Sequence, residues 1–151
     1  MSTIHFTENT TVTPEQFVAG LTDFGPERSK VFSKSADDYL KVHSVSATEA
    51  DVTEGSGGVW ERLHYDWSDP TRVILKTTDS NTWANTSGYT YTFTEQNGMT
   101  DVNVDIVREG KNAKGHVLAA VLGTVGKGVL GKAFAKSVKA IETRDNAVPA
   151  R

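Results

Sequence analysis

The sequence predicts a fold of the α+β class, in which an antiparallel sheet is covered by a long C-terminal helix. Three observations carry this prediction. Alternating apolar and polar residues fill most of the segment from Tyr39 to Glu109, as is typical of strands. Asn97-Gly98 is the strongest short signal for a hairpin between two such strands. The segment Asn112–Thr143 then changes to helical spacing and contains no proline.

The N-terminal part is predicted to contribute one strand and two short helices. Ile4 to Val12 alternates loosely and is rich in threonine, which indicates a strand. Thr13-Pro14-Glu15-Gln16 combines an N-cap residue, a proline at the first helical position and a capping box, so a helix begins there. It is short, because Gly25-Pro26 follows soon. A second short helix is predicted from Pro26 to Phe32.

Turn residues divide the remaining chain into consecutive strands. The breaks are the glycine-rich Gly55–Gly58 and the turn Ser68–Pro70. The predicted strands are Leu40–Val45 leading to Val52–Glu54, Val59–Trp67, Arg72–Thr78, Gly88–Glu95 and Met99–Glu109.

The Asn97-Gly98 turn fixes the register of the two strands beside it. One face of this hairpin is aromatic and aliphatic, and the other face is polar. Such a sheet is wet on one side and covered on the other, and the cover here must be the C-terminal helix. The apolar pairs are Phe93 with Val102, Tyr91 with Val104 and Tyr89 with Ile106, and the polar pairs are Thr92 with Asn103 and Thr90 with Asp105.

Composition excludes several classes of function. With 151 residues, 37% of them hydrophobic and 23% charged, residues 1–151 are expected to form one globular domain. A net charge of −3 gives no general electrostatic support for nucleic-acid binding. The absence of cysteine removes disulfides and thiolate nucleophiles. No signal peptide and no stretch of about 18 unbroken apolar residues is present, so a cytoplasmic protein without an integral membrane segment is expected.

Motifs for metal binding and for catalysis are absent. The histidines are far apart and no pair has the i, i+4 spacing of a metal site, so neither a metal nor another cofactor is expected. No Gly-x-Ser-x-Gly elbow occurs, and no Ser/His/Asp arrangement stands out. The sequence therefore assigns no catalytic residue. The four histidines are His5, His43, His64 and His116.

His64 is the one histidine for which an acid–base role is considered. It lies between Arg62 and Asp66 on the predicted outer face of its strand, where a solvated ladder of charges is favoured. If the faces were reversed, Trp60, Arg62 and His64 would line the interior and general acid–base chemistry would be open. A group of carboxylates nearby is interpreted as loop and solvent charges: Glu49, Asp51 and Glu54.

Residues 126–133, GKGVLGKA, match the dinucleotide fingerprint G-x-G-x-x-G and nearly match the phosphate loop. The fingerprint works at a strand-to-helix turn inside a βαβ unit. Only about twenty residues follow Gly131, and none of them resembles the next strand. In the phosphate-loop register, Ala133 stands where a serine or threonine is required. A nucleotide site is therefore not predicted.

The glycines instead suggest that the covering helix is thin or bent. One face of its second half carries large apolar residues, and the same face of its first half carries small ones. The helix either kinks near Gly126–Gly128, so that each half turns its large apolar face inward, or it is straight, leaves room beneath its small stripe and presents its Val/Leu side to something else. The large set is Leu130, Phe134, Val138 and Ile141, and the small set is Gly115, Ala119, Gly123 and Gly126.

Two other surfaces of this helix carry alternative interpretations. Lys132, Lys136 and Lys139 lie opposite the large apolar face, and a solvated back is favoured over a membrane-surface helix. The bulky residues between Val117 and Val125 lie on another side. They are a candidate seam for a homodimer or a protein partner.

Several short stretches resemble actinobacterial proteins of the START/polyketide-cyclase-like superfamily (SRPBCC), of the polyketide cyclase/dehydrase-like type. The stretches are Val42–Val45, Asp51–Ser56, Gly58–Arg62 and Tyr65–Ser68, and the resemblance extends from about Thr3 to Thr143. It implies a helix-grip fold, in which a curved antiparallel sheet grips a long C-terminal helix around a hydrophobic cavity. Lipid and hormone carriers and cyclases belong to this superfamily, which has no shared catalytic motif.

The predicted function is binding of a hydrophobic small molecule, such as a lipid, a polyketide or another planar apolar ligand, between sheet and helix. Arg108 continues the inner face and is placed where it could meet an anionic or carbonyl group. The alternatives are a polyketide cyclase- or dehydratase-like enzyme using the same cavity, and a protein-interaction module through residues 117–125. The predicted ligand-binding residues are Tyr65, Trp67, Leu75, Tyr89, Tyr91, Phe93, Val104, Ile106, Arg108, Gly123 and Gly126.

Overall fold

The fold is built on one seven-stranded antiparallel sheet, seen in a computed structural model that describes residues 2–25, 28, 39–124 and 126–147. The strand order is β1-β7-β6-β5-β4-β3-β2, so the first strand lies beside the last. The strands are β1 (Ser2–Thr10), β2 (Tyr39–Val45), β3 (Glu49–Ser56), β4 (Val59–Asp66), β5 (Arg72–Ser80), β6 (Gly88–Gln96) and β7 (Met99–Arg108).

Three helices within the described residues cover one face of this sheet: α1 (Pro14–Leu21), α2 (Ala113–Thr124) and α3 (Gly126–Ala147). The predicted capping box opens α1, since Thr13 Oγ1 accepts from the Gln16 N–H at 3.2 Å and Gln16 Oε1 accepts from the Thr13 N–H at 2.7 Å. The second short helix predicted from Pro26 to Phe32 lies outside the described residues, apart from Arg28.

The β6–β7 hairpin has the predicted register. All three apolar pairs and both polar pairs are observed. Asn97 and Gly98 have φ values of 56° and 77°, which is the left-handed conformation that a two-residue hairpin turn requires. The alternation of the sequence therefore assigned both faces of these strands correctly.

The C-terminal cover is bent rather than straight. Helices α2 and α3 are separated at position 125, and the axes of Ala113–Thr124 and Gly128–Arg144 are inclined by 79°. Within the described residues, no single helix is long and apolar enough to span a membrane, and the two pass that test only as this bent pair. The predicted kink is therefore observed, but the large apolar face of the first half does not turn inward as predicted, because Gly115 and Ala119 are buried and Val117 and Val121 are exposed.

The small stripe of α2 is a packing contact. Gly115 lies against the backbone of Gly110 and Thr82, where a Cβ would collide with main-chain atoms. Ala119 is buried, and its carbonyl accepts a hydrogen bond from Ser2 Oγ at 2.8 Å. The stripe thus allows α2 to approach β1 closely instead of leaving space beneath it. Val117 and Val121 consequently face away from the core.

The core lies between the concave face of the sheet, α1 and α3. Phe17 of α1 packs edge-on against Phe93 at 5.5 Å between ring centroids and against Tyr91 at 6.1 Å. Phe134 of α3 packs between Tyr91, at 6.5 Å, and Phe6, at 6.2 Å. Together these rings hold both helices on the sheet.

Candidate functional site

A cavity of about 650 Å³ lies between the inner face of the sheet and the helices α1 and α3. Strands β3 to β7 form its floor, and Phe17, Leu21, Leu130, Phe134 and Ile141 close it from the helix side. The volume is in the range of sites for small organic ligands.

Seven of the eleven predicted site residues line this cavity. They come from β4, β5, β6 and β7, where the alternation places them on the inner face. They are Tyr65, Leu75, Tyr89, Tyr91, Val104, Ile106 and Arg108.

The other four predicted residues lie away from the cavity. Phe93 is covered by the ring of Phe17, because α1 occupies the space above that end of β6. Trp67 lies beyond the end of β4, and its backbone N–H donates to the backbone carbonyl of Thr48. Gly123 lies beside Ser2, and Gly126 packs on Leu122.

The first polar cluster of the cavity is centred on Arg108 and Glu61, which are both buried. Arg108 Nη1 donates to Glu61 Oε2 at 2.8 Å, and Thr77 Oγ1 donates to the same oxygen at 2.5 Å. The guanidinium group lies over the rings of Tyr89, at 4.6 Å, and Trp83, at 5.0 Å. The two rings hold its plane and reduce its contact with water.

One nitrogen of Arg108 is left without a partner. Nη2 is buried and makes no hydrogen bond with any described residue. A buried donor that lacks an acceptor costs roughly 1–3 kcal/mol, and more when the group is charged. This nitrogen can therefore donate a hydrogen bond to an acceptor oxygen that reaches it.

The second polar cluster consists of Arg28, Glu54 and Tyr65. Arg28 Nε donates to Glu54 Oε1 at 2.5 Å, and its Nη2 donates to the Tyr65 hydroxyl at 2.8 Å. That hydroxyl donates to Glu54 Oε2 at 2.9 Å. Burial would lower the pKa of Arg28, but Tyr65 and the Glu54 carboxylate outweigh it and raise this pKa. Burial, together with Glu54, raises the pKa of Tyr65 well above its ordinary value.

The hydroxyls of Tyr89 and Tyr91 make no hydrogen bond within the described part of the chain. Burial raises the pKa of both groups, and the neighbouring Arg108 opposes the rise only in part for Tyr89. Both phenols are therefore neutral near pH 7 and can donate or accept a hydrogen bond.

Within the described residues, the buried charges of the cavity form two ion pairs. Arg108 is paired with Glu61, and Arg28 is paired with Glu54. A ligand that brought a full negative charge to Arg108 would also approach the Glu61 carboxylate. The Glu61 carboxylate thus reduces the attraction of Arg108 for an anionic group compared with an unpaired guanidinium.

Sequence reasoning missed three of the polar residues. Glu61 is in phase with Leu63 and Tyr65 along β4, so the alternation alone could have placed it inside. Glu54 was predicted to be a solvent charge, and this was wrong, because it is in phase with the buried Val52 on β3 and is held by Arg28. Nothing in the local pattern around Arg28 indicated its position.

The outer face of β4 carries the solvated ladder that the sequence predicted. His64 Nε2 lies 3.3 Å from Glu49 Oε1, with both side chains exposed, and Arg62 binds both carboxylate oxygens of Asp51. The hydrogen bond from Arg62 lowers the pKa of Asp51. Trp60 and Arg62 border a separate outer groove, so neither they nor His64 line the cavity.

The cavity opens beside α3. Most lining residues are buried, but Val129 is 70% exposed, and Ala133 and Lys136 are also exposed. Val59 and Gly55, in the β3–β4 hairpin, border the cavity from the sheet side. The exposed part of the described lining therefore lies on α3, and we call this edge the mouth of the cavity.

No family model matches the chain, and no curated protein matches it. Solved structures do. The protein TTHA0849 from Thermus thermophilus aligns over 98% of this chain and 99% of its own, with a TM-score of 0.71 and 13% identity. A START superfamily protein from Mycobacterium smegmatis aligns over 95% and 97%, with a TM-score of 0.67 and 12% identity. The Zhui aromatase/cyclase from Streptomyces sp. R1128 aligns over 96% of each chain, with a TM-score of 0.66 and 10% identity.

These similarities define the fold. The chain has the helix-grip fold of START-like proteins, with a curved antiparallel sheet and a C-terminal helical cover, as the sequence resemblance predicted. At identities of 10–13%, these similarities support a shared architecture but not a shared chemistry of the cavity.

Proposed function

We propose that this chain binds a neutral, largely apolar small molecule in the cavity, with an acceptor oxygen of the ligand on Arg108. The observation that carries the proposal is the buried Nη2 of Arg108, which has no partner among the described residues. A ligand carbonyl or hydroxyl oxygen there would satisfy it and remove the cost of an unpaired buried donor.

The walls support a planar ligand. Tyr89 and Tyr91 offer aromatic faces together with two neutral hydroxyls, while Leu75, Val104 and Ile106 are apolar. Planar polycyclic ketones and phenols, the chemistry of folded polyketides, combine these requirements. A lipid with a neutral carbonyl headgroup is the other member of the same class. A cytoplasmic location and the action of residues 1–151 as one domain belong to this proposal.

The binding test compares matched ligands by tryptophan quenching and by native mass spectrometry. Anthracene, anthraquinone and an anthraquinone carboxylate differ in the presence of acceptor oxygens and of charge. We expect the neutral quinone to bind more tightly than either of the others. Native mass spectra of protein purified from its own host would identify a resident ligand directly. If no small molecule co-purifies and the quinone binds no better than the hydrocarbon, the proposal is wrong.

Substitutions assign the binding to the cavity. Tyr89→Phe and Tyr91→Phe each remove one hydroxyl and keep the ring, so the fold is conserved while quinone affinity falls. Losing one hydrogen bond to a neutral partner corresponds to roughly 0.5–1.5 kcal/mol. Arg62→Gln, on the outer face, is the matched control and should leave the affinity unchanged. Equal affinities in all three variants would contradict the assignment.

A second candidate function is catalysis in the same cavity, of the polyketide cyclase- or dehydratase-like type. The specific observation in its favour is that Arg108 Nη2 and the two tyrosine hydroxyls are all uncommitted hydrogen-bonding groups on one cavity wall. Such groups stabilise the oxyanion that forms when a carbonyl is attacked or enolised. The nearby carboxylates Glu54 and Glu61 are already held in ion pairs.

Turnover separates the two functions. A linear 1,3-diketone with an aromatic end group would be incubated with the protein, and cyclised or dehydrated products would be followed by absorbance and mass spectrometry. Catalysis predicts a rate above buffer that falls in Tyr91→Phe. Binding of the diketone without any rate above buffer would leave only the carrier function.

A further inference from the structure

The two C-terminal helices expose large apolar side chains on their outer sides. Val117 is 63% exposed, Val121 is 43% exposed and Val129 is 70% exposed. Val117 lies on the side of α2 opposite the buried Ala119, and Val129 lies on the side of α3 opposite the buried Val138. These three valines therefore lie outside the core, and a large part of each side chain is exposed to solvent.

The same stretch of chain has an unusual charge. Residues 110–141 contain six lysines and no aspartate or glutamate, which gives this stretch a formal charge of +6. The whole chain carries −3, so the remainder carries −9. The exposed residues of interest form what we call the lysine–valine surface: Lys114, Val117, Val121, Val129, Lys132 and Lys136.

Both helices present this surface on the same side of the molecule. Ser2 of β1 bonds to Ala119 of α2, and Phe6, two pleats along the same face of β1, packs on Phe134 of α3. Because α2 and α3 cover the same face of the sheet, their outer sides both point away from it. The cavity mouth opens at Val129 and Lys136, within this surface.

We propose that the lysine–valine surface docks on an anionic lipid bilayer, with the cavity mouth turned towards the lipid. Exposed valines beside lysines suit this partner, because lysines contact anionic lipid and apolar side chains can enter the headgroup region. The lysine-bearing side of α3, which the sequence predicts to face solvent, would then contact lipid headgroups. Exchange of an apolar ligand through the mouth rests on the proposed function, but the docking itself does not.

Charge and shape favour a bilayer over the other occupants. A second copy of the chain, joined by a two-fold axis through this surface, would place two lysine-bearing surfaces against each other, and residues 110–141 offer no carboxylate between them. An acidic protein would satisfy the lysines, but the valines lie along the backs of two helices inclined by 79° and not in a groove. A fluid surface accommodates such an outline without a matching shape.

The docking is tested by sedimentation of ligand-free protein with vesicles. We expect binding to phosphatidylcholine mixed with phosphatidylglycerol, little binding to phosphatidylcholine alone, and loss of binding at high salt. Each lysine near an anionic surface contributes about fivefold in affinity, so Lys132→Glu with Lys136→Glu should abolish sedimentation. Val117→Glu with Val121→Glu should weaken it without altering the melting temperature.

Two control variants carry the same kinds of substitution outside the lysine–valine surface. Val45→Glu charges a valine on β2 that is 61% exposed, and Lys76→Glu reverses an exposed lysine on the outer face of β5. Both should sediment like the unaltered protein. Equal losses in these controls, or no binding to anionic vesicles, would overturn the proposal.

Two further outcomes identify a different occupant and also overturn it. If Val117→Glu converts a dimer to a monomer in light scattering, the surface is a seam between copies. If the protein ignores vesicles but binds polyglutamate in a salt-sensitive way, the partner is an acidic protein. Because the vesicle assay contains no cavity ligand, its result is independent of whether the quinone binds.

Discussion

Arg108 of β7 and Glu61 of β4 are joined by a buried ion pair of 2.8 Å between Nη1 and Oε2, although β6 and β5 lie between their strands. Three strand spacings amount to about 14 Å in a flat sheet. Two long side chains close this distance from opposite ends over a concave surface. The pair can form because the sheet is curved, and it places the guanidinium of Arg108, with its unpartnered Nη2, in the cavity.

Removal of one partner of this pair should destabilise the fold strongly. Arg108→Met leaves the buried Glu61 carboxylate uncompensated, and such losses amount to about 3–5 kcal/mol in the free energy of unfolding. Urea denaturation followed by tryptophan fluorescence measures it. The double variant Arg108→Met, Glu61→Gln removes both charges, so its cost should be well below the sum of the two single changes. A double variant that costs the full sum would show that the two groups are not coupled.

The buried tyrosines should resist ionisation in the native protein. Burial raises the pKa of Tyr65, Tyr89 and Tyr91 above the value in the unfolded chain. The unfolded state then releases these protons first, so stability is full below the unfolded pKa and falls as pH rises beyond it. In a pH titration, the tyrosinate absorbance of the native protein should rise at higher pH than that of the urea-unfolded chain. The melting temperature should fall in the same alkaline range.

Phenylalanine substitutions control for this titration. In Tyr91→Phe, the late part of the absorbance rise should shrink by one tyrosine among the four of the chain. A native titration that coincides with that of the unfolded chain would contradict the buried position of the three hydroxyls.

Two glycines of the C-terminal cover should respond to alanine in opposite directions. Gly128 of α3 faces open space, so Gly128→Ala should stabilise the protein by about 0.5–1 kcal/mol through helix propensity. A Cβ on Gly115 of α2 would collide with the backbone of Thr82 and Gly110, so Gly115→Ala should lower the melting temperature. The melting temperatures of the two variants, compared with that of the unaltered protein, measure both effects. Destabilisation by Gly128→Ala would indicate that α3 does not begin where the structure places it.

His64 should be dispensable for any activity of the cavity. Its ring is exposed beside Glu49 on the outer face, on the opposite side of β4 from Tyr65. His64→Gln is thus expected to leave quinone affinity and any diketone turnover unchanged, whereas Tyr91→Phe alters them. A loss of turnover in His64→Gln with affinity retained would reopen the acid–base role.

Patterns among residues close in sequence were enough to predict most helices and strands and most of the predicted residues of the cavity wall. The capping box at Thr13–Gln16 and the Asn97-Gly98 hairpin depend on residues close in sequence, so they could be predicted correctly. The hairpin register then placed Tyr89, Tyr91, Val104 and Ile106 on one face, because side chains of a strand alternate strictly. Phe93 follows the same alternation, yet it is absent from the cavity wall because a separate element, α1, lies over it.

What the sequence determined by itself was the α+β class, the order of the elements and the inner face of the sheet. The tertiary structure alone decided which inner residues border empty space and which charges meet. Glu61 and Arg108 are 47 positions apart, and Arg28 and Glu54 are 26 apart, so no local pattern links either pair. The same holds for the bend between α2 and α3. The glycines permit the bend. Its direction goes together with close contacts between residues distant in sequence, of Gly115 with Thr82 and of Gly131 with Phe6. Contacts between distant segments form only when the chain packs and the sheet curves, so a local sequence pattern does not contain them.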